Sequence, residues 1–263
     1  HTAQEMSAGD FLATQRSVYV HYVPRRELTK PDRELLEAVG GAADRARLWP
    51  QFRTARPGYH PWYLTEGEAR LLRHCFRVMV WLCAQWEKTS PTCFWEGEEL
   101  YPLIETAGAG EEGLAQYRVR MIKAPQATVP EPALPALDQA RLGRALRCSR
   151  REIILEVDHF YGAGMIGQNN ERKACARLAL AVDADTGLVF PPEIDMPEAA
   201  TGQMLADVLF GAMEAGKLIP RRVHVRDPDH RLLLQPLADA LGFTLAVQRR
   251  LPALDSAKSG VLG

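Results

Sequence analysis

The amino-acid sequence predicts an α/β protein in which a mainly helical domain precedes a mixed sheet with the element order βββαβαβ. Residues 151–255 alternate between strand-like apolar runs and helical stripes, all five tryptophans lie before residue 96, and a proline-rich stretch over residues 124–135 separates the two regions. We therefore expect a helix-rich, aromatic domain over residues 1–123, a linker over 124–143 and an α/β domain over 144–263.

The composition is that of a globular protein. The chain has 263 residues, of which 46% are hydrophobic and 25% charged, enough for two domains with their own cores. No apolar run approaches the roughly 20 residues of a membrane helix, so we expect a cytoplasmic protein without a membrane partner. The start at His1 has neither an initiator methionine nor a signal-peptide pattern, so we expect the natural start to lie upstream.

The cysteine spacing and the net charge argue against several classes of protein. The five cysteines are never spaced as Cys-x-x-Cys, which predicts reduced, buried thiols rather than disulfides or a zinc ribbon (Cys75, Cys83, Cys93, Cys148, Cys175). The net charge of −1 lacks the basic excess that a duplex-binding protein usually carries. A basic surface would therefore be local, and its candidate residues are Arg221, Arg222, Arg226, Arg249 and Arg250.

In the first domain the pattern predicts two helices joined by an extended loop. Lys30–Val39 has proline near its start and Gly40 at its end. The second helix begins after Thr65 and is apolar on most sides as far as Cys83, which predicts a buried core helix. Three prolines and several aromatic residues between Trp49 and Trp62 predict a rigid, extended loop.

In the second domain the apolar alternation predicts five strands and a capped helix. The helix is expected to begin at Thr201 as its N-cap, with an inner stripe of Met204, Val208, Leu209 and Ala212. A turn at Asp185–Gly187 would join the second and third strands as a hairpin. The predicted strands are Ile153–Asp158, Leu178–Asp183, Leu188–Phe190, Val223–Asp227 and Phe243–Val247.

Three of these strands end on an aspartate, and the first and fourth are the pair that matters for a shared site. Asp158 closes the first strand and Asp227 the fourth, and a crossover connection would place the two strands side by side. Carboxylate oxygens bind Mg²⁺ or Mn²⁺, so we predict a metal site formed by Asp158, Asp227 and Glu156. Catalysis would be carried by Asp158, Asp227 and Asp255, because two ions about 4 Å apart can stabilise the attacking and leaving oxygens of a phosphodiester.

Each acid also has a structural interpretation that the sequence leaves open. Asp227 precedes Pro228 and fits a helix N-cap, Asp158 fits the end of a strand with one wet face, and Asp255 fits an ordinary loop. His159, His224 and His230 fall near the same strand ends. A histidine beside carboxylates can be a ligand or a proton shuttle, although the strand alternation points His224 toward the outer face.

A glycine motif offers a third function. Gly162-Ala-Gly164-Met-Ile-Gly167 matches the dinucleotide-binding fingerprint, with Asp183 downstream as a ribose contact. Glu156 interrupts the preceding strand, however, and no apolar helical stripe follows Gly167. We therefore favour a mobile loop between the first two strands over a cofactor site.

Two resemblances add to this interpretation. Trp49–Phe52, Pro57–Trp62, Val182–Gly187, Val225–Asp227 and Leu251–Leu254 together resemble a family of bacterial proteins with paired domains of unknown function. The element order from Ile153 to Val247 is similar to the integrase and transposase branch of the ribonuclease-H-like fold, a resemblance that implies catalytic acids at Asp158 and Asp227. The long helix that carries the third acid of that branch is expected to be absent.

These observations predict a protein of unknown function with a ribonuclease-H-like domain, acting in divalent-metal-dependent nucleic-acid processing. The alternative is a catalytically inactive binding or scaffold protein, whose aromatic N-terminal part contacts a protein partner.

Overall fold

A computed structural model of the protein describes residues 15–40, 47–86, 100–109, 115–123, 133–168 and 171–262. The described chain divides into an N-terminal unit, made of residues between 18 and 54 and between 63 and 123, and a C-terminal unit, made of residues 15–17, 55–62 and those from 133 onward. In the described part of the chain, no helix is long and apolar enough to cross a membrane.

The N-terminal unit contains as much strand as helix, so the prediction of a mainly helical first domain is wrong. Neighbouring strands β1 and β2 accompany helices α1 and α2, and a separate antiparallel pair is formed by β4 and β5. The bounds are β1 Ser17–Val23, a 3-10 turn Arg25–Glu27, α1 Lys30–Ala38, β2 Trp49–Arg56, α2 Glu66–Trp86, β4 Leu100–Ala109 and β5 Ala115–Lys123.

A buried ion pair joins helix α1 to strand β2. The carboxylate of Asp32 accepts hydrogen bonds from both terminal nitrogens of Arg53, at 2.8 and 2.7 Å, while closing a capping box with Thr29. Burial alone would raise the pKa of Asp32, but the hydrogen bonds from Arg53, Thr29 and Gln51 outweigh it and lower the pKa to about 2. The pair therefore stays ionised at neutral pH.

The predicted capping of helix α2 is confirmed, but its predicted burial is wrong. Thr65 and Glu68 form a reciprocal cap at its start. Leu71, Met79 and Val80 nevertheless expose more than half of their surface. Apolar side chains occur on all sides of this helix. Its aromatic contacts among the described residues join Tyr117 to His74 and Trp81, which lie on one side of the helix.

The segment predicted as an extended loop forms two strands instead. Residues Trp49–Arg56 form β2 and Tyr59–Trp62 form β3, and Tyr59 pairs antiparallel with Ala174 of a later strand. The turn between them contains Gly58 at φ +73°, a conformation that favours glycine. Pro50 and Pro61 suggested a loop because proline lacks the amide donor of a ladder, but both occupy positions near strand ends.

The structure agrees only in part with the prediction for the cysteines, and it differs from the predicted linker. The four described cysteines are free thiols, as expected, yet Cys75 and Cys83 are exposed rather than buried. Residues 124–132 of the predicted linker, like Cys93, lie outside the described residues. Helix α3, Gln139–Ala145, begins inside the predicted linker because Asp138 accepts hydrogen bonds from the amides of Ala140 and Arg141.

The C-terminal unit is built on a mixed sheet whose strands follow the order β8-β7-β6-β9-β10, with β3 also beside β7. Strand β6 runs antiparallel to β7 and parallel to β9, and β10 continues parallel to β9. The elements are β6 Ser149–Ile166, β7 Ala174–Asp183, β8 Glu193–Asp195, α4 Thr201–Gly216, β9 Leu218–Val225, α5 Pro228–Leu241, β10 Thr244–Val247 and α6 Pro252–Leu262.

Helices cover both faces of this sheet. On one face, Leu155 and Val157 of β6 and Val225 of β9 pack with helices α3, α4 and α5 in the main core. On the other face, Phe160 of β6 and neighbouring residues of β7 pack against Leu251 and Leu254 around the start of α6. The expectation of one wet face carrying the acids is therefore wrong, and Glu156 is 3% exposed.

The predicted strands and helix of this unit are largely confirmed, with local differences. The turn at Asp183–Gly187 forms, but it leads only to an isolated bridge at Val189, and the third strand lies later, at Glu193–Asp195. The inner stripe of α4 is buried as expected. Thr201 is the first helical residue rather than the N-cap, and its hydroxyl accepts a hydrogen bond from the buried Arg177.

Replacing Asp32 by asparagine tests the buried ion pair. The pKa of Asp32 is about 2 instead of 3.8, so its charge stabilises the fold above pH 3.8, and this contribution is lost as the pH falls through about 2. With allowance for solvent screening, we expect Asp32→Asn to lower the free energy of unfolding by about 1–2 kcal/mol at pH 7. Denaturant unfolding of the wild type and of Asp32→Asn at pH 7 and at pH 2.5 measures this loss of free energy at each pH.

The matched control is Glu34→Gln, which removes an acid from the same helix in an exposed pair with Lys30. We expect this control to change stability by less than about 0.5 kcal/mol. An equal loss for Asp32→Asn at both pH values would contradict the ion-pair account.

Candidate metal centre

Three side chains with metal-binding atoms meet where strand β9 ends beside β6. They are Asp158 and His159 of β6 and His230 of α5, and one ligand atom from each lies within 4.8 Å of the others. Val157 of β6 pairs with Val225, the last residue of β9, so Asp158 lies just beyond the end of that strand. His230 reaches the same point from the first turn of the following helix.

Both histidines keep a buried nitrogen without a hydrogen-bond partner. The Nδ1 atoms of His159 and His230 are shielded from solvent, and neither has a partner among the described residues. The two rings lie 4.9 Å apart between centroids, and the Nδ1 of His230 is 3.6 Å from Oδ1 of Asp158, beyond a normal hydrogen bond. A buried polar atom without a partner is costly, so these nitrogens are suited to a ligand.

The electrostatics hold both imidazoles neutral. Burial, with the positive charge of Arg177 and the neighbouring His230, lowers the pKa of His159 to about 3. Burial also lowers the pKa of His230, although the carboxylate of Asp158 opposes this shift. A metal ion binds the neutral form of histidine, so the site requires no deprotonation at neutral pH.

The second oxygen of Asp158 is bound by an arginine. The Nε of Arg226 donates to Oδ2 of Asp158 at 3.1 Å, and its Nη2 donates to Oδ1 of Asp255 at 2.6 Å. Burial of the guanidinium would lower the pKa of Arg226, but the hydrogen bonds with Asp255 and Asp158 outweigh it and raise the pKa. The sequence suggested Arg226 only as part of a basic surface, and the structure gives it two carboxylate partners.

Helix α6 brings two of the predicted acids into defined roles. Asp255 lies in its first turn rather than in a loop, and therefore reaches the other end of Arg226. Glu156 accepts a hydrogen bond from the backbone amide of Leu254 at 2.8 Å, near the start of the same helix. The loop interpretation of Asp255 is thus wrong, since α6 covers Pro252–Leu262.

Asp227 caps helix α5. Its side chain accepts a hydrogen bond from the amide of Asp229 at 2.8 Å, and Pro228 begins the helix, as the capping interpretation requires. Strand β9 already ends at Val225, two residues before Asp227. Within the described ranges, no hydrogen bond or ion pair joins Asp227 to Asp158, and Asp158 is the one predicted ligand in the three-residue cluster.

The glycine motif does not form a dinucleotide-binding turn. Gly162 and Gly164 lie inside strand β6, and the chain continues after Gly167 into the antiparallel strand β7. A dinucleotide fingerprint requires a strand followed by a helix whose N-terminus meets the pyrophosphate. The predicted mobile loop is also wrong at Gly162 and Gly164, because both residues belong to the strand.

The donor set favours an ion of intermediate hardness. Two imidazole nitrogens and one carboxylate oxygen suit Zn²⁺, Mn²⁺ or Fe²⁺ better than Mg²⁺, which prefers oxygen ligands. Ligands around one such ion lie about 3–4 Å apart, so closure of the 4.8 Å triangle requires shifts of about 1 Å. Three protein ligands would leave positions for water or substrate.

The fold and this site define a mixed α/β protein with a candidate mononuclear metal centre on strand β6, beside the end of strand β9. Residues 130–262 match the family model described as Domain of unknown function (DUF6930), and residues 1–101 match the one described as Domain of unknown function (DUF7309). The chain therefore belongs to the DUF6930 family, and the predicted pairing of two domains of unknown function is confirmed. No match to the chain is found among curated proteins.

The cap at Asp227 can be tested by two substitutions. Asparagine caps a helix about as well as aspartate, whereas alanine offers no acceptor, so we expect Asp227→Ala to cost about 1 kcal/mol and Asp227→Asn only a few tenths. Thermal unfolding of the metal-free protein measures both. A loss as large for Asp227→Asn as for Asp227→Ala would argue against a capping role.

Proposed function

We propose that this protein binds one divalent metal ion through Asp158, His159 and His230. The observation that carries the proposal is the cluster itself, in which one ligand atom from each residue lies within 4.8 Å of the others and both histidines keep a buried nitrogen without a partner among the described residues. Zn²⁺ is the expected best ligand, followed by Mn²⁺ and then Mg²⁺, in keeping with the nitrogen donors and the general order of metal affinities.

We further propose that the C-terminal unit is a ribonuclease-H-like domain. The support is the sheet order β8-β7-β6-β9-β10. Strand β7 is antiparallel to both β8 and β6, whereas β9 and β10 run parallel to β6, and helix α6 follows β10 in the chain. The candidate metal ligand Asp158 lies on the central strand of this order, the position that the resemblance implies for a catalytic acid.

Nucleic-acid processing with a metal-bound water is the activity that this combination suggests. An ion held by three protein ligands can bind a water molecule, lower its pKa and polarise a phosphoryl oxygen. The second candidate is a metal-stabilised binding or scaffold domain with a protein partner. It is favoured by Arg226, whose guanidinium fills the space between Asp158 and Asp255 that a second ion would need.

Calorimetric titration of the metal-free protein with Zn²⁺, Mn²⁺ and Mg²⁺ tests the metal site. We expect one Zn²⁺ per chain and a rise in unfolding free energy of about 2.7 kcal/mol at a hundredfold excess over Kd. His230→Asn and Asp158→Asn should each weaken Zn²⁺ binding at least about tenfold, because each removes one of three ligands.

His224→Asn is the matched control. His224 also has a shielded nitrogen without a partner among the described residues, yet it lies outside the cluster. We expect its Zn²⁺ affinity to equal that of the wild type. Binding that is weakened equally in all three variants, or a wild type that gains no stability from metal, would contradict the proposal.

Cleavage of single-stranded DNA or RNA by the Zn²⁺- or Mn²⁺-loaded protein, lost in His230→Asn, would then favour the nuclease over the scaffold.

A further inference from the structure

We propose that Arg226 is a built-in cation that occupies a second cation position beside Asp158 and limits the centre to one metal ion. This inference deepens the proposed function, since it concerns the ions admitted by the same site. It predicts that removing the guanidinium opens a second, oxygen-rich site between Asp158 and Asp255.

The two oxygens of Asp158 face different partners. Oδ1 lies 3.6 Å from Nδ1 of His230 and belongs to the histidine side, whereas Oδ2 accepts from Nε of Arg226 at 3.1 Å. His230 is 6% exposed and its Nδ1 has no partner among the described residues, so the first side has a free ligand atom. On the second side, the cation position is already taken by Arg226.

Charge explains why this second position needs a cation. The side chain of Asp158 is 15% exposed, and the guanidinium joins it to a second carboxylate, Asp255, at 2.6 Å. Two carboxylates that share a partly buried site repel each other unless a positive charge lies between them. Apart from His230, Arg226 is the one basic side chain within 4.0 Å of either carboxylate in the part of the chain that the structure describes.

A divalent ion is the natural replacement for this guanidinium. Without Arg226, the carboxylates of Asp158 and Asp255 would offer only oxygen donors, which Mg²⁺ and Mn²⁺ bind together with several waters. The nitrogen-containing centre and the oxygen-only site would then share Asp158 as a bridging ligand. The wild-type chain avoids this arrangement with a covalently attached cation that does not dissociate.

The test is the number of Mn²⁺ ions bound by Arg226→Gln, measured by equilibrium dialysis and by the loss of the free-Mn²⁺ paramagnetic resonance signal. We expect one more ion than in the wild type, two in place of one. If the histidine centre fails to bind metal, the expected change is from none to one, so failure of the proposed function and of this inference are distinguishable. Arg226→Gln with the same Mn²⁺ stoichiometry and affinity as the wild type would overturn the inference.

Matched variants locate the additional ion. Arg221→Gln removes an arginine from β9 whose partner, Glu152, is exposed, and should leave the stoichiometry unchanged. The double variant Arg226→Gln/Asp255→Asn should lose the additional ion and keep the histidine-bound one. An additional ion that persists in the double variant would place it elsewhere and contradict the inference.

Stability gives a second measurement in case the glutamine variant folds poorly. We expect Mn²⁺ to raise the Tm of Arg226→Gln more than that of Arg221→Gln, because the ion replaces the lost positive charge. Arg226→Lys keeps the charge but loses the fork that contacts both carboxylates, so excess Mn²⁺ should displace the lysine and bind weakly. If Arg226→Gln does not fold, absence of an additional ion in Arg226→Lys would overturn the proposal.

Discussion

Glu156 and Asp158 of strand β6 lie between two helical layers, and each has a partner outside that strand. Glu156 is satisfied by a backbone amide near the start of α6, and Asp158 by Arg226 and by the amide of His159. An unpaired buried charge costs several kcal/mol, so these partners fix how α6 and the end of β9 meet the sheet. Oδ1 of Asp158 lies 3.6 Å from the Nδ1 of His230.

This arrangement separates two electrostatic environments within one small site. On the α5 side, burial keeps His159 and His230 uncharged and leaves nitrogen atoms without partners. On the α6 side, an arginine neutralises two acids. The proposed one-ion centre with nitrogen ligands rests on this division, and it differs from the all-carboxylate pair that the element order alone suggests.

The sequence predicts the C-terminal fold well and its chemistry only in part. Period-two alternation marks β6, β7 and β9, because one side of each strand packs under the α4 and α5 layer. The sequence does not reveal α6, because the apolar residues near its start, such as Leu254 and the preceding Leu251, form no clear helical stripe. The capping of α5 follows from Asp227-Pro228 directly. The three-residue cluster does not follow from the sequence, because it depends on the first turn of α5 bringing His230 against β6. The sequence shows only that His159 and His230 lie close to the strand ends.

The first predicted domain, residues 1–123, shows where local rules fail. Prolines in β2 and β3 suggest a loop, and the apolar residues around α2 suggest burial, yet tertiary pairing decides both outcomes. Arg53 and Asp32, 21 residues apart in the chain, pair in a way that no short-range pattern indicates.

The most direct measurement of the central claim is anomalous scattering at the zinc edge from crystals grown with one equivalent of Zn²⁺. We predict a single strong peak within about 2.0–2.3 Å of Asp158, His159 and His230, with Arg226 still bound to Asp158 and Asp255. A peak between Asp158 and Asp255 with Arg226 displaced, or no peak at this site, would contradict the account.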